Sequence, residues 1–118
     1  MTEKVQLYKK TRKVFEEAVV PVLGPSGYET VYSHLRQRVG RDPFEVLLEE
    51  PKIFYEELEK IFSTSTDVLL NHVGKYLVNK YGVDCSPDEF LELFHKGDAS
   101  SKDRMIKIMM KAHENWKK

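Results

Sequence analysis

The chain has 118 residues, enough to bury one core and too few for two ordinary domains, so residues 1–118 read as a single domain. Hydrophobic residues at 41% and charged residues at 32% exclude disorder, and no apolar run approaches the roughly 20 residues that cross a bilayer. Nineteen basic and nineteen acidic side chains cancel, which excludes a global field drawing the molecule to nucleic acid or an anionic membrane.

Thr2 can cap a first helix whose apolar positions Val5, Tyr8, Phe15, Val19 and Val22 fall three and four apart, with Arg12 in the intervening slot. Pro21 removes a backbone donor, and Gly24-Pro25-Ser26-Gly27 stops or sharply redirects the chain. A second helix is predicted over residues 26–39, where Tyr28, Val31, Tyr32, Leu35 and Val39 share a face, and Gly40 suits its end. Asp42-Pro43-Phe44-Glu45 reads as a capping box on a short helix. Pro51 opens another, with Phe54, Leu58, Ile61 and Phe62 on one face and Glu56, Glu57, Glu59 and Lys60 on the rest.

Residues 63–67 offer several caps for a helix over residues 68–81, whose apolar positions Val68, Leu69, Leu70, Val73, Tyr76, Leu77 and Val78 are too broad for a surface stripe. That helix is expected at the centre of the bundle. Gly74 in its middle costs about 1 kcal/mol against alanine, and a close helix crossing would compensate. Gly82 ends it, and Ser86-Pro87-Asp88-Glu89 gives the clearest helix start in the chain. A last helix follows Gly97-Asp98-Ala99-Ser100-Ser101. Strand alternation and hairpin turns are missing, so the expected fold is all-α, a compact bundle of six or seven short-to-medium helices.

Charge is unevenly placed: residues 1–41 carry 8 basic and 4 acidic groups, residues 42–101 carry 5 and 13, and residues 102–118 carry 6 and 2. Either basic terminal helices pack beside acidic central ones, or they form a basic face for a polyanionic partner. The candidate basic patch comprises Lys9, Lys10, Arg12 and Lys13 near the start, and Arg36, Arg38 and Arg41 at the end of the second helix. On the last helix Met105, Ile108, Met109, Ala112 and Trp116 occupy one edge and Ile106, Met110 and His113 the neighbouring edge. Together these exceed one core-facing stripe, and methionine-rich surfaces adapt to partner helices. Met105, Ile106, Met109, Met110, His113 and Trp116 are therefore the candidate interaction surface.

Catalytic and metal signals are weak. Glu92 and His95 have the Glu-x-x-His spacing of di-iron bundles, but His34, His72 and His113 are preceded three residues earlier by Val31, Leu69 and Met110, so no second copy exists. Cys85, the only cysteine, excludes an internal disulfide, and Asp84 beside it disfavours the thiolate. Gly24-Pro25-Ser26-Gly27 lacks the lysine and spacing of a phosphate-binding loop. No enzyme activity, metal or cofactor is expected.

The run over residues 23–62, with Leu23-Gly24-Pro25-Ser26, the helix bearing Tyr28, Val31 and Leu35, then Asp42-Pro43 and Phe54-Tyr55-Glu56-Glu57-Leu58-Glu59-Lys60-Ile61-Phe62, resembles small archaeal helical domains described as output domains of the Nitrosopumilus type. The resemblance extends over about residues 15–81. After the phenylalanine the sequence departs from the small-residue pattern, with Ser63-Thr64-Ser65-Thr66. The resemblance implies an archaeal signalling or interaction module without known catalysis and carries over no functional residue. The expected function is a helical interaction or signalling-output module that self-associates as a dimer, its partner being another protein or a second copy of itself. The alternative is a nucleic-acid-binding regulator using the basic ends. The start, Met1-Thr2-Glu3-Lys4, lacks the order of a signal peptide, so a cytoplasmic location without a membrane partner is expected.

Overall fold

The computed structural model describes the backbone of residues 2–116 and the side chains of residues 6–115. Six helices account for it: α1 (Thr2–Val39), α2 (Pro43–Glu49), α3 (Pro51–Phe62), α4 (Ser65–Tyr81), α5 (Pro87–Lys96) and α6 (Ala99–Trp116). No strand occurs among the described residues. The protein is an all-α bundle.

A straight 38-residue helix would be about 57 Å long, yet the largest dimension of the molecule is 31 Å. The reason is Gly24, the one residue of α1 outside helical geometry (φ 82°, ψ 160°). Its positive φ suits glycine, and Pro25 then starts the second limb where a missing N–H does least harm. The two limbs fold back on each other. The Arg12 guanidinium of the first stands 4.3 Å from the centre of the Tyr32 ring of the second, although twenty residues of straight helix would separate them by about 30 Å. Gly24-Pro25 thus redirects the chain, and six helices contain seven helical limbs.

The short helices begin where local chemistry places them. Ser86 forms a full capping box: its hydroxyl accepts from Glu89 N at 3.1 Å, and Ser86 N donates to Glu89 Oε1 at 2.9 Å. Asp42 behaves differently from the sequence expectation. Its carboxylate accepts from Phe44 N at 2.9 Å, while Glu45 turns outward to Arg41 at 3.0 Å, so the reciprocal half of the box is missing. A nearby cation outcompetes the backbone N–H for that carboxylate.

The core is aromatic. Phe15 of α1 meets Phe44 of α2 at 5.3 Å and Phe54 of α3 at 5.8 Å, Phe54 meets Phe94 of α5 at 6.1 Å, and Phe94 meets Phe90 at 5.2 Å. Edge and tilted packing of these rings gives the four helices a common centre. α4 packs against α1, α3, α5 and α6, burying Leu69, Leu70, Val73 and Leu77. Its crossing with α5 is close at Gly74, where a Cβ would stand 3.1 Å from Pro87 Cα and 3.2 Å from Phe90 Cδ2. The apolar breadth of α4 exceeds what the core takes up: Val68 is 72% exposed. The short α2 is enclosed along most of its length, with Pro43, Phe44, Val46, Leu47 and Leu48 all buried.

A candidate binding groove between the first, second and last helices

α6 carries apolar residues on two adjacent edges, and packing assigns them different tasks. Met105, Ile108, Met109 and Ala112 are buried in the core. Met105 and Met109 are therefore unavailable to a partner, and the surface open to one is narrower than the sequence suggests. Ile106 is half-buried and Met110 is 53% exposed. These two, with Lys102 and His113, form one wall of a groove of about 450 Å³. The side chain of Trp116 lies outside the described residues.

The opposite wall comes from elements far away in sequence. Gln6, Leu7 and Tyr8 of α1 and Leu48 and Glu49 of α2 complete the lining. Sequence reading missed this wall. Leu7 lies off the core stripe of α1, and Leu48 closes an apolar run that alone predicts only burial. The pattern on α6 was the available signal: a second apolar edge, four and three residues apart, beside a complete core edge.

The polar rim is organised from within. The Tyr8 hydroxyl donates to Glu49 Oε2 at 2.5 Å, and burial followed by the Glu49 hydrogen bond pushes the Tyr8 pKa up to about 12. Arg41 donates through Nη1 to Glu45 Oε1 at 3.0 Å and Glu49 Oε1 at 3.3 Å, and through Nη2 to Glu50 Oε2 at 2.9 Å. Both oxygens of Glu49 are thereby engaged.

Several of the basic residues have partners within the fold. Arg41 is held by three glutamates, and Arg38 Nε lies 2.5 Å from Glu57 Oε1. Glu57 also receives Lys60 at 3.0 Å, and the Arg38 hydrogen bond, ahead of the Lys60 one, holds its carboxyl below the usual range. Arg12 lies over Tyr32. Lys9, Lys13 and Arg36 are exposed, and Lys10 is half-buried.

Two further clusters occur. The Tyr55 hydroxyl donates to Asp67 Oδ1 at 2.6 Å and His95 Nε2 approaches the same oxygen at 3.2 Å, joining α3, α4 and α5. His95 thus faces Asp67, while Glu92 is exposed. The second is Glu17 Oε1, which accepts from Tyr76 at 2.9 Å and Tyr81 at 2.5 Å. Cys85 is half-buried, and burial first of all pushes its thiol pKa up, away from nucleophilic character. Among the described residues no group of three His, Cys, Asp or Glu side chains could hold a metal ion. No described helix is long and apolar enough to cross a membrane.

The chain is similar to an uncharacterized protein of the archaeon Archaeoglobus fulgidus. The two are 28% identical over 99 residues, which covers 79% of this chain and 76% of the relative. No protein-family model matches. No solved structure matches either. The likeness thus reaches an archaeal relative, while the narrower resemblance to Nitrosopumilus-type output domains gains no support from these comparisons.

Proposed function

We propose that the protein is a helical interaction module that docks another protein in the groove between α1, α2 and α6. The observation that carries this reading is the outer edge of α6, where Met110 remains 53% exposed above a mostly apolar groove of about 450 Å³. A flexible, polarisable thioether at such a place adapts its shape to varied surfaces. A role in signalling output is the finer form of the reading and rests on the resemblance over residues 23–62. The nucleic-acid alternative draws less support, because Arg38 and Arg41 are already committed to carboxylates.

The test is photo-cross-linking from a probe beside the groove in the native cell, with wild type and Met110→Glu compared. Met110 is exposed, so the substitution should leave stability within about 0.5 kcal/mol. The expected result is a discrete cross-linked product that Met110→Glu removes while the unfolding midpoint is unchanged. An identical product in both proteins would refute the groove as the docking site.

A further inference from the structure

We propose that Gly24 and Pro25 form a hinge lock, which holds residues 2–23 on their own body and bars their exchange with a second copy of this chain. Every residue of α1 from Thr2 to Val39 is helical except Gly24. Two limbs joined in this way are one residue's change of φ and ψ away from a continuous helix of about 57 Å. In that form the first limb leaves the core of its own chain and is free to enter the core of another. The residues that seat it all lie well before the corner and face later helices. Phe15 meets Phe44 at 5.3 Å and Phe54 at 5.8 Å, Tyr8 donates to Glu49 at 2.5 Å, Glu17 Oε1 accepts from Tyr76 at 2.9 Å and Tyr81 at 2.5 Å, and Ala18 O lies 2.9 Å from His72 Nε2. The first limb of a second copy can make every one of these contacts, and Arg12 can lie over Tyr32 between copies as it does within one. Exchange therefore changes only the corner, which is the condition for domain swapping.

The corner itself opposes exchange. Gly24 (φ 82°, ψ 160°) occupies a region essentially confined to glycine. A Cβ there would have nothing within 4 Å, so the bend demands glycine for its backbone conformation and not for space. Pro25 blocks the straight form. In a continuous helix it has no N–H to give the Pro21 carbonyl, its ring meets that carbonyl, and it turns the residue before it away from helical geometry. As the first residue of the second limb it does none of this harm. Pro21 already lies inside the first limb and is common to both forms, so it does not choose between them. The glycine permits the bend and the proline forbids its loss. Gly24→Ala alone therefore gives up the bend without gaining a helix, Pro25→Ala alone keeps the bend but frees the straight form, and the two together favour the continuous helix. This lock operates whatever occupies the groove.

The experiment uses the full chain with the native hinge, with Gly24→Ala, with Pro25→Ala and with both. All four carry Cys85→Ser and spin labels on Lys13→Cys and Ser33→Cys, two exposed positions beside the contact of Arg12 with Tyr32. Labelled chain is refolded with an excess of unlabelled chain, so that pulsed electron resonance reads the distance within one chain, and light scattering gives the mass. The native hinge should give a distance well below the about 30 Å of twenty straight helical residues. The double variant should move to about 30 Å, in a species of twice the mass. Pro25→Ala should divide between the two distances, its long share rising with protein concentration during refolding, and Gly24→Ala should show no long share. A native hinge that already gives the long distance, a folded double variant that keeps the short one, or a long distance without the doubled mass would overturn the proposal. Should the double variant fail to fold, Pro25→Ala decides: a long share that grows with concentration supports the lock, and none at any concentration overturns it.

Discussion

Alanine at Gly97 and at Gly82 should reveal a close approach between α3 and the end of α5. Both glycines close a helix in the left-handed region, with φ of 59° and 60°. An L residue there costs about 1–2 kcal/mol, and the loss of unfolded-state freedom offsets about 0.4–1 kcal/mol of it. Their surroundings differ. A Cβ on Gly82 has nothing within 4 Å, whereas one on Gly97 would stand 2.3 Å from Lys52 Cβ and 3.1 Å from its Cγ and Cδ. The Lys52 Cβ is fixed to the backbone of α3, so no rotamer relieves the clash and a helix must move, at the about 1–3 kcal/mol typical of overpacking. Gly82→Ala should therefore lose about 1 kcal/mol and Gly97→Ala about 2–4 kcal/mol in urea unfolding. Adding Lys52→Gly to Gly97→Ala should recover much of the difference, as a favourable coupling in the double-mutant cycle. Equal losses at the two glycines, or no coupling with position 52, would refute the argument.

Other outcomes follow from equally local geometry. Ser63 holds φ 52° and ψ −128°, a region glycine tolerates, so Ser63→Gly should raise stability by about 1 kcal/mol in thermal unfolding. Phe54 is 1% exposed and touches the rings of Phe15, Phe44 and Phe94, so Phe54→Ala should cost about 3–5 kcal/mol by denaturant titration. The Tyr55 hydrogen bond, then His95, holds the Asp67 carboxyl below its usual range. With the folded value depressed, the stability it contributes is present above the unfolded value of 3.8 and is lost as pH falls through the folded one. Asp67→Asn should flatten the acid limb of the stability profile, and an unchanged limb would show that Asp67 does not contribute to it.

Of the candidate site, one wall was legible in the sequence. The spacing of Ile106, Met110 and His113 marks a second edge on α6. It does not reveal that Met105 and Met109 are fully enclosed, because a helical row of methionines looks alike whether it faces a core or a partner. The basic residues teach the same lesson. Arg38 reads as a possible phosphate contact until Glu57, nineteen positions away, is found beside it. Tyr8 reads as part of a core stripe, yet its hydroxyl reaches Glu49, forty-one positions away.

What the sequence determined by itself is what depends on a few neighbouring residues. Ser86 and Glu89 satisfy each other's backbone, Asp42-Pro43 starts α2, Gly82 closes α4, and the 3.6-residue period excludes strands. Tertiary structure alone decided how those helices share their surfaces. The fold-back at Gly24 brings Arg12 to Tyr32, Gly74 lets α5 approach α4, and α1 and α2 supply Leu7 and Leu48 to a groove only half-written on α6. The physical reason is range: caps and turns are settled by hydrogen bonds within a few residues, while burial and charge pairing join groups that only the folded chain brings together.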